Sequence, residues 1–166
     1  MKKHGFYLSV ILFFIILDQV SKAMIHKTLS LYGKISLIPG FFNIIHVRNR
    51  GAIFGMFSQS NGLMQYILLM AATTLAMLIV VYFYIKTPYK EKLTRFALSL
   101  VLAGALGNFV DRIFKGYVID FLDFYIKKWH WATFNVADSC ITIGAVFLIG
   151  IFLFKRSDKC IPSLSK

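Results

Sequence analysis

Apolar residues run along the chain in four long blocks, at about 5–22, 63–85, 96–113 and 134–154, separated by polar segments. Roughly 20 apolar residues are needed to cross the hydrocarbon core of a bilayer, so each block predicts a membrane-spanning helix. The segments between the blocks have other patterns. In 28–62, the run Ile35-Ser36-Leu37-Ile38 and the run 42–48 are separated by Pro39-Gly40 and closed by Asn49-Arg50-Gly51. Short β-branched runs between such turn residues predict a small antiparallel sheet. The segment 115–133 reads as a loop, with Trp129, His130 and Trp131 just before the fourth block, where an interfacial aromatic belt is expected. The expected fold is an all-α polytopic membrane protein. Residues 1–166 form one integral membrane domain of four transmembrane helices, with a small extracytoplasmic β-sheet and a second extracytoplasmic loop.

Composition agrees with that pattern. Only 16% of residues are charged and the mean hydropathy is +0.69, whereas soluble chains carry about 25% charged residues. The net charge of +12 raises nucleic acid as a partner, but the cations gather at the ends of the apolar blocks, at Lys2-Lys3, from Lys86 to Arg95 and at Lys155-Arg156. That placement is expected of topology anchors and contacts with anionic headgroups, and no nucleic-acid surface is expected. The Lys-rich link between the second and third blocks, together with the basic ends, assigns both termini to the cytoplasm. Lys2-Lys3 before an apolar run also resembles the start of a cleavable leader, but Asp18 interrupts the run and no small-x-small site follows, so a retained helix is expected. Cys140 and Cys160 lack metal-ligand spacing and are expected to be free thiols. His4, His26, His46 and His130 are dispersed and no role is expected of them.

The acids carry the chemistry. Of seven Asp and Glu residues, Glu91 and Asp158 fall in the assigned cytoplasmic parts. Asp18, Asp111, Asp120, Asp123 and Asp138 all come to the other side if the spans alternate. At 1.5 Å per residue, Asp138 lies ~6 Å below the start of its block. An ionisable group in a span costs about 2.5–3.5 kcal/mol on insertion scales, so it tends to face the bundle interior and to have a role. Helical spacing supports this placement. Ser99, Ala103, Gly107 and Asp111 form one stripe, Gly104, Asn108 and Arg112 the next, and Asn135, Asp138, Thr142 and Ala145 share a face of the fourth helix.

Four motifs mark these places in order: Asp18-x-x-x-Lys22; Asn49-x-Gly51-Ala52-x-Phe54; Gly107-Asn108-x-x-Asp111-Arg112 leading to Val118-Ile119-Asp120-Phe121; and Phe134-Asn135-x-Ala137-Asp138. Their order on four spans of a short chain closely resembles signal peptidase II, the lipoprotein (prolipoprotein) signal peptidase family. The resemblance covers roughly residues 5–154. It implies an aspartic endopeptidase of the bacterial inner membrane with Asp120 and Asp138 as the catalytic dyad at the outer leaflet. Spacing alone does not choose those two over Asp111 or Asp123. The substrates implied are diacylglyceryl-modified prolipoproteins, cut just before the lipidated cysteine. No metal or organic cofactor is implied, and globomycin-type cyclic peptides are the expected inhibitors. Membrane lipids are the other expected partners, and the chain is expected to be a monomer.

Within this reading, two carboxylates held close cannot both ionise readily, so one keeps a proton while the other acts as base. Asn49, Gly51, Asn108, Asp111, Arg112 and Asn135 are expected to bind substrate or support the site, with Asp111 fixing Arg112. Asp18 and Lys22, one helical turn apart, are expected to brace the first helix. The loop 115–133 is expected to act as a lid hinged near Gly116. The rival readings are a small proton-coupled transporter, with the acids as a relay, and a non-catalytic membrane scaffold.

Overall fold

A computed structural model of the chain describes residues 2–51 and 62–157. Its helices are α1 (Lys2–Thr28), α2 (Gly62–Lys86), α3 (Lys92–Lys115) and α4 (Val136–Ser157); its strands are β1 (Lys34–Ile38), β2 (Phe42–Asn49), β3 (Val118–Ile126) and β4 (Trp129–His130). All four helices are long and apolar enough to cross a membrane. Ala52 and Phe54 of the second motif, Asp158 and Cys160 lie outside the described residues. The first helix continues to Thr28, beyond the expected end at 22: no Gly or Pro lies between Lys22 and Thr28, and His26 and Lys27 in its last turn favour the negative end of the helix dipole.

Helix α3 is the axis of the bundle. Each of the other helices packs on it, and Ala97, Ser99, Ala103, Gly104, Gly107 and Asn108 are among its buried residues. The outer faces of α1, α2 and α4 expose large apolar side chains such as Phe13, Leu75 and Phe152, as suits contact with lipid. Apolar burial supplies no drive for association in such a solvent, so close backbone approach has to hold the helices together. The small residues permit it. A Cβ at Gly104 would meet the carbonyl oxygen of Ala137, and one at Gly144 would lie 2.7 Å from the carbonyl oxygen of Ala97.

The expected sheet in 28–62 forms as the β1–β2 hairpin, with Gly40 at φ +83° in its turn. The expected loop 115–133 is different. It holds β3, nine residues long, which pairs with β2 in a four-stranded antiparallel sheet of order β1-β2-β3-β4. Asp120 and Asp123 break the apolar run there, and Val118 to Phe121 are all buried, so the strand shows no apolar-polar alternation. Gly116, left-handed at φ 74°, caps α3 through a bond to Arg112 O and turns the chain directly into β3. Pairing with β2 on one side and β4 on the other ties this segment into the sheet. The sheet thus sits at one end of the bundle, where α1 and α3 finish and α4 begins.

Candidate active site

Two backbone devices aim the acids. In the β2–β3 ladder Asp120 stands opposite Val47, and Val118 opposite Asn49. Residues two apart share a strand face, so Asn49 and Asp120 meet: Asn49 Nδ2 donates to Asp120 Oδ2 at 2.9 Å. Asn49 Oδ1 accepts the Gly51 N–H at 2.7 Å, and Gly51, at φ +84°, takes the left-handed turn that this contact needs. The second device is the start of α4. Asn135 Oδ1 accepts the Asp138 N–H at 2.9 Å, and Asp138 Oδ2 accepts the Asn135 N–H at 3.2 Å. This is a reciprocal capping box, built here from Asn and Asp.

The two devices are joined. Asn135 Nδ2 donates to Asp120 Oδ1 at 2.7 Å, and Asn108 Nδ2 donates to Asp138 Oδ1 at 2.7 Å. Asn108 Oδ1 in turn accepts from Asn135 Nδ2 at 3.2 Å and from Lys22 Nζ at 2.9 Å. Asp120 and Asp138, from a strand and a helix start, therefore belong to one network. Burial pushes the Asp120 carboxyl up to about 6; the Asn49 hydrogen bond pulls the other way, the Asp138 charge adds to the rise, and the Asn135 bond and the Lys22 charge oppose it. Asp120 is buried apart from one edge, which opens on a cleft of about 700 Å³ lined also by Leu31, Tyr32, Val47, Asn49 and Thr133. Asp138 keeps partial exposure.

Asp18 and Asp111 lie behind this pair. Lys22 Nζ, fully buried, is 2.7 Å from Asp18 Oδ2 and 2.9 Å from Asp111 Oδ2, so Asp18 and Lys22 form an ion pair within α1. Asp18 Oδ1 also accepts the Ala137 N–H at 2.9 Å, which ties α1 to the start of α4. Asp111 was expected to fix Arg112 and does not. It pairs with Lys22 and, at 2.7 Å, with Lys115. Successive residues on a helix point about 100° apart, so Arg112 faces another way. Among the described residues no ion pair links Arg112 to a carboxylate; its charge lies within electrostatic reach of Asp138, Asp120 and Asp111.

Asp123 is not brought to the pair. Three residues from Asp120 on the strand, it faces the other side. There it accepts from Asn43 Nδ2 at 2.7 Å and contacts His130 Nδ1 at 2.8 Å. Burial pushes Asp123 up, but the bonds from Asn43 and His130 and the charges of His130 and Lys34 outweigh it and hold the carboxyl below its ordinary value. This cluster, the Lys22–Asn108 contact and the Lys115–Asp111 pair were not expected from the sequence. The spacing of Asp111 and Lys115, four apart on one helix, was a readable signal for the last of these.

Comparison with known proteins places the chain in a family and agrees with its fold. Residues 10–154 match the family model described as signal peptidase (SPase) II. The lipoprotein signal peptidase of Desulforapulum autotrophicum is 39% identical over 142 residues, 86% of this chain and 88% of that protein. The lipoprotein signal peptidase of Francisella tularensis subsp. novicida is 46% identical over 119 residues, 72% of this chain and 74% of that protein. A bacterial membrane enzyme solved by the in meso method at 2.3 Å superimposes with a TM-score of 0.81 at 36% identity, covering 98% of this chain and 95% of its own. Agreement over nearly the whole length, in sequence and in fold, makes this chain a member of the signal peptidase II family.

Proposed function

We propose that the chain is an aspartic endopeptidase that removes signal peptides from diacylglyceryl-modified prolipoproteins, with Asp120 and Asp138 as its catalytic dyad. Family membership supports the peptidase activity and the class of substrate. The observation that carries the choice of residues is the single amide of Asn135. It donates to Asp120 through Nδ2 and caps Asp138 through Oδ1, so two buried or half-buried carboxylates share one scaffold.

Peptide hydrolysis needs an activated water and a proton for the departing amine. Asp120, held up at about 6 chiefly by burial, is the member assigned the shared proton. Asp138, at the positive end of α4, is the base. Asp138 takes a proton from water as the water oxygen bonds to the scissile carbonyl carbon, and Asp120 gives its proton to the carbonyl oxygen. The tetrahedral diol then collapses: a hydroxyl proton returns to Asp120, Asp138 protonates the nitrogen, and the C–N bond breaks. The products are a signal peptide with a new carboxyl end and a lipoprotein with a free amino-terminal cysteine.

The Lys-rich segment between α2 and α3 supports a cytoplasmic placement of that link and of both termini. The sheet and the dyad then stand at the outer leaflet of the inner membrane, where two acyl chains would hold the cysteine and its preceding peptide bond. Arg112 and Asn49 are proposed to steady the substrate backbone. Globomycin-type cyclic peptides are proposed to occupy the same cleft, and one chain is proposed to suffice for activity. The test is turnover of a lipidated precursor by purified wild type, Asp120→Asn and Asp138→Asn, each shown to be folded. Both variants are expected to be inactive, and turnover by either would remove that residue from the dyad.

A further inference from the structure

We propose that Lys22, beyond bracing α1, is a positioning residue that sets the direction of the Asn108 amide and so the ionisation of the acid pair. This rests on the reading of Asp120 and Asp138 as the dyad.

An ammonium group can only donate. Lys22 Nζ, with no exposed surface, has three oxygens around it: Asp18 Oδ2 at 2.7 Å, Asp111 Oδ2 at 2.9 Å and Asn108 Oδ1 at 2.9 Å. The third contact forces Asn108 to turn its oxygen towards α1. Its NH2 must then face α4, where it donates to Asp138 Oδ1 at 2.7 Å. A flipped amide would oppose Nδ2 to an ammonium and Oδ1 to a carboxylate. The backbone does the same for Asn135, because the Asp138 N–H claims Oδ1 and leaves Nδ2 for Asp120. Two obligate donors therefore fix which way both amides point, and both carboxylates receive a donor.

The charges balance around this device. Asp18 and Asp111 are countered by Lys22 and Lys115, with Lys115 Nζ 2.7 Å from Asp111 Oδ1. Among the described residues, Arg112, Asp120, Asp138 and the buried Cys140 thiol, which lies within electrostatic reach of Asp18, are the other ionisable groups facing the cluster. The Lys22 charge also reaches Asp120, where it favours the ionised form. A brace alone would need no contact with Asn108.

The test pairs substitutions so that the remaining charges stay matched. In Lys22→Met with Asp18→Asn, the Asp111–Lys115 pair survives. That variant should lose turnover by on the order of 10²-fold with KM changed little. The pH at which the pair gives up its shared proton should rise. Asp18→Asn alone removes an anion and keeps the Lys22–Asn108 contact, so it should not raise that pH. If the Met variant is not recovered folded, Lys22→Gln with Asp18→Asn carries the test: the charge goes, a donor to Asn108 stays, and the pH limb should rise while more turnover is kept. A wild-type limb and kcat in the folded double variant, or an equal rise in Asp18→Asn alone, would overturn the proposal. Asp138→Asn in the same assay separates the two ideas. If it is active, the dyad reading fails; if it is inactive while the Lys22 variants behave as wild type, this inference alone fails.

Discussion

Asn135 and Asp138 close a ring on each other, the side chain of each bonded to the backbone N–H of the other at 2.9 and 3.2 Å. The same Asn135 reaches Asp120 at 2.7 Å. One residue therefore starts a transmembrane helix and couples the two acids, so its role in stability and its proposed role in catalysis can be separated by substitution.

Asn135→Ala removes the cap and the amide donor together. Loss of the cap should cost about 1 kcal/mol, and loss of the donor should lower turnover on the order of 10²-fold through misplacement of Asp120. Asn135→Ser restores a capping oxygen but is too short to reach Asp120. It should recover the thermal stability of the detergent-solubilised protein and leave turnover low. Serine restoring full turnover would show that the amide bond to Asp120 is dispensable.

How much of this was legible in advance follows from the kind of signal. The spans were, because length and apolarity alone decide them, and the β1–β2 hairpin was, because Pro39-Gly40 marks its turn. Strand β3 was not: buried on both faces and interrupted by Asp120 and Asp123, it has the period of neither a strand nor a helix. At the site, the i,i+4 pair Asp18–Lys22 could be read locally. The Lys22–Asn108 bond joins residues 86 positions apart, and nothing in the pattern of either helix reports their relative rotation. Asp111 was assigned to its neighbour Arg112 by adjacency, which on a helix is the wrong geometry.

Helix approach at Gly104 gives a second prediction. A methyl group there runs into the carbonyl oxygen of Ala137 and comes within 2.8 Å of Ile141 Cγ1. A backbone atom cannot rotate away as a side chain can, so α3 and α4 must separate. Gly104→Ala should lose about 1–3 kcal/mol of stability. Turnover should fall too, because Ala137 precedes Asp138 and moves with it. Gly150→Ala, where nothing lies within 4 Å of the added carbon, is the control and should change neither.

Asp120 also makes stability depend on pH with a definite sign. Its native carboxyl is held at about 6, above the ordinary 3.8, so the folded state binds that proton more tightly than the unfolded state does. The folded protein is then favoured at low pH and loses that advantage as pH rises from about 4 through 6; above this the cost levels off at on the order of 3 kcal/mol. Asp120→Asn cannot ionise. The melting temperature of the variant relative to wild type should therefore rise between pH 4 and pH 8 in detergent. A difference that stays level across this range would mean that burial does not disfavour the Asp120 charge.

With Asp120 and Asp138 as the proposed dyad, the same proton governs rate. A pair that works with one proton between its members is idle when both are protonated and idle again when both are ionised, so activity should be bell-shaped in pH. The value of about 6 for Asp120 includes the repulsion of an ionised Asp138, so it belongs to loss of the shared proton, on the alkaline side of the bell. In the free enzyme, kcat/KM for a lipidated precursor should fall as pH rises through about 6. Bound substrate covers the cleft beside Asp120 and displaces water, which disfavours the second negative charge further, so the alkaline limb of kcat should lie at higher pH than that of kcat/KM. Coincident limbs would mean that substrate leaves the solvation of Asp120 unchanged. A kcat/KM that instead rises through pH 6 would assign that ionisation to a base, and the proton on Asp120 would have to be moved to Asp138.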